Sequence, residues 1–246
     1  HGIGGGHLAF APQLETFAQA GYRAVAWDMP GYGHSDPIEP YTFKGLAEKC
    51  ISLIEALTQD QPGVSLVGHS MGGMVAQEVV ARRPDLVHQL VLCGTSSAFG
   101  KPDGQWQREF VDQRMAPLEQ GLTMAQVASQ LVPTMTGPKA LPEGVQLAQH
   151  CMAGVSPVTY RRALQALVTF DRRAELAQIA APTLLVAGEQ DPNAPPEVMR
   201  KMQQRILGSQ LVVMPGIGHL MNLESPDEFD GMLLDFLRRS PQRVTH

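Results

Sequence analysis

Short apolar runs alternate with stretches whose apolar residues recur every three or four positions, a rhythm that predicts strands and helices in alternation. Residues 64–68 (VSLVG), 89–93 (QLVLC), 182–187 (PTLLVA) and 210–214 (QLVVM) read as buried strands, and residues 23–27 (RAVAW) as a further strand. Residues 42–57 place Leu46, Cys50, Leu53, Ile54 and Leu57 on one helical stripe. Residues 12–20, 71–83 and 197–206 are further predicted helices, the second ended before Pro84. A last helix starts at Pro226, where Ser225 suits the cap and Glu228 completes a capping box.

The rhythm breaks after Gly94. Residues 101–173 carry helix-like segments and no convincing strand, with breaks at Gly121, Pro133, Gly137, Pro138 and Pro142. The strand–helix pattern then returns. The predicted architecture is an α/β fold with a mainly parallel sheet and helices on both faces. Residues 1–98 and 175–246 form its core and residues 99–174 a helical lid, a size usual for a small subdomain.

A chain of 246 residues suffices for one such domain. Its net charge of −5 comes from scattered acids, and no Lys/Arg block is present to track a phosphate backbone, so nucleic acid is not an expected partner. No apolar run reaches the roughly 18 residues of a membrane span, and the opening HGIGGGH has neither the cationic start nor the apolar core of a signal peptide. Cys50, Cys93 and Cys151 are odd in number and far apart. They form neither a CxxC pair nor a disulfide framework, which points to a reducing, cytoplasmic setting with each thiol packed as a small hydrophobe.

The chemistry concentrates at Gly68-His69-Ser70-Met71-Gly72, which fits G-x-S-x-G between a predicted strand and a predicted helix. A sharp turn there lifts the serine hydroxyl clear of the sheet edge; the plainer readings are a glycine-rich turn without chemistry or a phosphate cradle. A serine hydroxyl is a poor nucleophile at neutral pH and needs a base, which in turn needs an orienting acid. Of the later histidines, His219 lies in a glycine-rich loop directly after a strand, whereas His88 precedes a strand and His150 lies in the helical stretch. For the acid, Asp191 stands beyond the strand at 182–187 with Glu189 as its rival, while Gly94-Thr95-Ser96-Ser97 offers none after strand 89–93. Two N–H donors for a developing oxyanion are expected from Met71 and from Ile3 in the glycine-rich opening. His1 and His7 hint at a metal site but lack a third ligand nearby, and the glycines do not match G-x-G-x-x-G, so no cofactor or metal is expected.

His1-Gly2, Asp28-Met29-Pro30-Gly31-Tyr32-Gly33-His34-Ser35, the Ser70 motif, the stretch from Gly188 to Asp191, and Gly218-His219 together resemble the α/β-hydrolase superfamily along the whole chain. The resemblance implies a Ser70–His219–Asp191 triad and a structural role for the loop at residues 28–35. Leu92-Cys93-Gly94-Thr95 and the stretch after it are similar to 3-oxoadipate enol-lactonases, which implies hydrolysis of a small cyclic enol ester through an acyl-enzyme. Hydrolases that cut a C–C bond in meta-cleavage products with the same triad are the nearest alternative. Haloalkane dehalogenases and epoxide hydrolases carry aspartate where this chain has Ser70. The family places two or three strands before the His-Gly loop, so a leading segment beyond the present first residue is expected.

The expected activity is therefore hydrolysis of a small carboxylic ester or lactone, with a non-catalytic small-molecule receptor on the same fold as the rival of another class. His69, Phe99, Trp106 and Met135 are the expected pocket residues, chosen from a group that also holds Phe110, Met115 and Met124. Several methionines there suit an adaptable apolar wall. Arg161 and Arg162 are candidate partners for a substrate carboxylate, the plainer reading being exposed helical arginines.

Overall fold

The computed structural model describes residues 1–58, 63–99 and 104–239. Helices α1 (Ala11–Gln19) and α2 (Phe43–Thr58) precede strand β1 (Val64–His69), which runs into α3 (Met71–Arg82) and then β2 (Val87–Cys93). Four helices follow: α4 (Gln105–Glu119), α5 (Met124–Leu131), α6 (Pro142–Ala153) and α7 (Pro157–Leu167). Strand β3 (Thr183–Gly188), α8 (Pro196–Gln203) and β4 (Gln210–Met214) resume the alternation, and α9 (Met221–Glu224) and α10 (Pro226–Arg239) complete the described residues.

The strands form one parallel sheet in the order β1-β2-β3-β4. Its central strands are apolar on both faces because both faces are covered. Leu90 and Leu92 of β2, with Leu185 and Ala187 of β3, pack against residues of α2, α3 and α8 such as Leu46, Val79 and Met199. The alternate residues Val91, Cys93, Leu184 and Val186 face Phe17 of α1 and Phe229 and Leu233 of α10. Gly68 pairs with Leu92, Leu92 with Leu185, and Gly188 with Met214, so the four carboxyl ends finish along one edge. In open α/β sheets that edge is where ligands bind.

Residues 23–27 are a correction to the sequence reading. They alternate exposed and half-buried positions as a strand would, with Val25 52% exposed, yet they join no sheet among the described residues. A period of two specifies an extended backbone, but a strand also requires a neighbour for its ladder. Strand β2 begins two residues earlier than expected, at Val87. Pro226 opens α10, and the Ser225 hydroxyl meets the Glu228 carboxylate at 3.4 Å. A reciprocal capping box that the sequence reading missed opens α5, between Thr123 and Gln126.

Ala98 and Asp171 form an isolated antiparallel bridge, with Phe99 N–H donating to Phe170 O (2.9 Å) and Arg172 N–H to Ser97 O (2.7 Å). Beside it the buried Glu78 of α3 accepts from Arg82 (2.6 Å) and from Arg172, which also reaches Glu175 (3.0 Å). Removing one partner of such a buried pair strands a charge and typically costs about 3–5 kcal/mol. All three cysteines are free and buried. Among the described residues, no helix is long and apolar enough to cross a membrane.

Candidate active site

Ser70 is the single residue between β1 and α3, and the only described non-glycine residue with φ in the left-handed range (φ 54°, ψ −120°). Such a conformation costs on the order of 1–3 kcal/mol and persists only where its surroundings fix it. Here the Ser70 N–H donates to Cys93 O (2.9 Å), and its carbonyl accepts from Gly73 N–H (3.0 Å) and the Thr95 hydroxyl (2.8 Å). The strand and helix close tightly enough that a Cβ on Gly68 would lie 2.5 Å from Gly72 O and 2.6 Å from Gly73 Cα. Only glycine fits there.

The Ser70 hydroxyl donates to His219 Nε2 at 3.0 Å, and His219 Nδ1–H donates to Asp191 Oδ2 at 2.8 Å. A carboxylate only accepts, which assigns the Nδ1–H tautomer and leaves Nε2 free to take a proton. The other Asp191 oxygen accepts the N–H groups of Asn193 (2.8 Å) and Ala194 (3.0 Å). Burial pushes the Asp191 carboxyl up, but His219 and those two N–H donors outweigh it and hold it below the ordinary value. Glu189 points elsewhere: it is exposed and accepts the Gly216 N–H (2.8 Å). Gly94, at φ 49° just after β2, clears the space, since a Cβ there would stand 3.2 Å from both Asp191 Oδ2 and His219 Nδ1.

His69 lines the cavity and also steadies His219. Its Nε2–H donates to the His219 carbonyl at 2.7 Å, with the two rings 4.9 Å apart. Burial, reinforced by His219, drives its pKa down to about 3, so His69 is neutral at working pH. The glycine-rich opening is held from behind. The His1 ring donates to Gly2 O (2.8 Å) and accepts from Met29 N–H (3.0 Å), and the Tyr32 hydroxyl donates to Ile3 O (2.9 Å). With its carbonyl tied back, Ile3 keeps its N–H free. Among the described residues, neither the Ile3 nor the Met71 N–H finds an acceptor. His7 pairs with Asp28 (2.9 Å), and no described cluster of His, Cys, Asp and Glu is arranged to hold a metal.

Glu224 escaped the sequence reading. Fully buried, it accepts the N–H groups of Gly137 (2.7 Å), Gly218 (2.8 Å) and Leu220 (2.8 Å), bracketing His219. Burial pushes its carboxyl above the ordinary value against the pull of those donors. The His219 N–H itself donates to Met135 O (2.7 Å), and Lys139 N–H to Gly216 O (3.2 Å), so residues 135–139 are stitched to the histidine loop. The only signal in the sequence is a lone acid in an apolar stretch, Leu220-Met221-Asn222-Leu223-Glu224.

Above Ser70 lies a cavity of about 120 Å³. His69, Phe99 and Met135 line it, as does Phe110. Trp106 does not. It stacks on Phe110 (5.3 Å between centroids) and packs against Phe99 (5.5 Å), supporting the wall from behind. Met115 and Met124 belong to the core, while Met74 and Met152 take cavity positions. Arg161 and Arg162 follow the plainer of their two readings: they pair with Glu119 (2.6 Å) and Glu39 (3.1 Å) and do not line the cavity.

Residues 1–226 match the family described as the alpha/beta hydrolase fold, and the chain belongs to that family. It is 30% identical to the putative carbamate hydrolase RutD of Variovorax paradoxus, over 97% of this chain and 90% of that protein. It is 29% identical to 3-oxoadipate enol-lactonase 2 of Acinetobacter baylyi, over 96% of this chain and 86% of the relative. Among solved structures, an esterase from Exiguobacterium antarcticum superposes with a TM-score of 0.87 at 25% identity, covering 97% and 90% of the two chains. The sheet, its helical flanks and these relatives make the protein a hydrolase of that fold.

Proposed function

We propose that this protein hydrolyses a small carboxylic ester or lactone, with Ser70 as nucleophile, His219 as base and acid, and Asp191 as orienter. The observation that carries the reading is the continuous relay from the Ser70 hydroxyl to His219 (3.0 Å) and on to Asp191 (2.8 Å). As Ser70 attacks, His219 Nε2 takes its proton and then returns it to the leaving oxygen. Asp191 keeps the ring in the required tautomer and stabilises the imidazolium that forms. The N–H groups of Ile3 and Met71 stabilise the tetrahedral oxyanion, a contribution worth roughly 3–4 kcal/mol per donor in well-formed sites. Water activated by His219 then releases the acid.

Residues 99–174, of which 100–103 lie outside the described residues, act as a lid over this edge, a reading supported by the bridge that brings Ala98 and Asp171 together. The small, largely apolar cavity favours a compact substrate. Turnover of p-nitrophenyl butyrate, with a fluorophosphonate adduct mapped to Ser70 by mass spectrometry, is the expected result. An adduct without turnover of any ester, lactone or carbamate tried would favour a ligand receptor instead.

A further inference from the structure

Among the described residues in the cavity wall, Arg114 of α4 is the only Lys, Arg, Asp or Glu, and Phe110 and Tyr160 line the same cavity. The Arg114 guanidinium lies 5.4 Å from the centre of the Phe110 ring and close enough to Tyr160 to offset part of the rise that burial imposes on that phenol. No carboxylate among the described residues comes within ion-pair distance of Arg114, and the Tyr160 hydroxyl has no hydrogen-bond partner among them.

The contrast with neighbouring arginines is informative. Arg161 and Arg162 are half-buried, and each has an acid of its own. Arg114 is half-buried too, but among the described residues it has only an aromatic face. A guanidinium drawn out of water without a counter-charge is unfavourable, and the loss is recovered when an anion arrives with matching geometry. Arginine offers two parallel N–H donors to a carboxylate, and a nearby phenol adds a third.

We propose that Arg114, assisted by the Tyr160 hydroxyl, binds a carboxylate at the non-reacting end of the ligand, so that the preferred acyl group is a short chain ending in a carboxylate. The proposal rests on the ester-hydrolase reading for the word acyl, but not for the anion site itself. The cavity has one charged wall and one reactive floor, and a ligand anchored at Arg114 presents its other end to Ser70.

Two matched pairs of compounds test the anion site and the hydrolase reading separately. Binding is measured by calorimetry on Ser70→Ala with glutaramate and its neutral counterpart glutaramide. The expected result is a preference for glutaramate that falls about tenfold in Ser70→Ala/Arg114→Gln and is partly restored in Ser70→Ala/Arg114→Lys. In parallel, kcat/KM is compared for the mono-p-nitrophenyl ester of glutarate and for p-nitrophenyl butyrate. Their ratio should fall about tenfold in Arg114→Gln, equivalent to about 1.4 kcal/mol. Absence of a glutaramate preference, or a preference that survives Arg114→Gln, overturns the anion site even if both esters are turned over. If neither ester is turned over while the preference depends on Arg114, the anion site stands and the hydrolase reading falls.

Discussion

The floor and the roof of the cavity are built on different principles. On the floor, the groups that hold Ser70, His219 and Asp191 are nearly all hydrogen-bonded to fixed backbone or side-chain partners, and the spacing follows from four strand ends in register. The roof, of which Phe99 and the stretch from α4 through α7 are described, meets the cavity mostly with apolar side chains of several lengths, together with the Tyr160 phenol and, among the described residues, one arginine. Directional bonds hold a reactive geometry to fractions of an ångström, whereas apolar contacts fix volume and leave shape adjustable. On the function proposed above, the reaction belongs to the floor and the choice of substrate to the roof.

If that division is right, substitutions on the floor act on kcat and those on the roof on KM. The largest effect is expected from Ser70→Ala, a loss of roughly 10⁴–10⁶ in kcat with the thermal transition kept. Retention of a tenth of the activity would break the comparison at its base. Asp191→Asn should follow at about 10⁴-fold, because the amide donates where His219 needs an acceptor and favours the wrong tautomer.

His69 supplies a test through pH. The unfolded chain protonates this imidazole near pH 6.5, but the folded chain only near 3, so the unfolded state binds the extra proton between those values. Stability is therefore complete above about pH 6.5 and declines on acidification, by roughly 5 kcal/mol in all by about pH 3. Urea unfolding of wild type and His69→Gln across that window should show a flatter profile in the variant. Parallel profiles would remove His69 from the account.

Glu224→Gln is expected to lower stability by about 1–3 kcal/mol, since one oxygen facing backbone N–H groups becomes a donor. At roughly 2–4 °C of Tm per kcal/mol for a domain of this size, calorimetry resolves the change, and kcat should fall more than KM moves. The smallest effect is expected on the roof. Leu131→Ala should raise KM for a medium-chain ester several-fold, on the basis of about 0.8 kcal/mol per buried CH₂, with kcat within about twofold. A large fall in kcat instead would show the roof taking part in the reaction.

The same division governs what the sequence reveals. Ser70, His219 and Asp191 sit in short local patterns, a turn after a strand in each case, and local patterns can be read from one chain. Glu224, the Met135 carbonyl and the Tyr32 hydroxyl act on residues 5, 84 and 29 positions away respectively, counting Glu224 to His219, Met135 to His219 and Tyr32 to Ile3. The last two bonds exist only once the chain has folded back. Arg161 and Arg162 stood out as adjacent charges on a helix, yet their orientation was set by Glu119 and Glu39. Arg114 carries no such signal in sequence. Residues 23–27 show the converse, a strand pattern that no described neighbour completes.

Because the amides of Gly137, Lys139 and His219 are all engaged across the seam between residues 135–139 and the histidine loop, none can meet solvent until that seam parts. Their exchange with deuterium should therefore be concerted and slow, keeping pace with the most protected amides of β2 and β3 rather than with the helices above the cavity. On that clock the loop carrying His219 is expected to be among the last elements of the molecule to loosen.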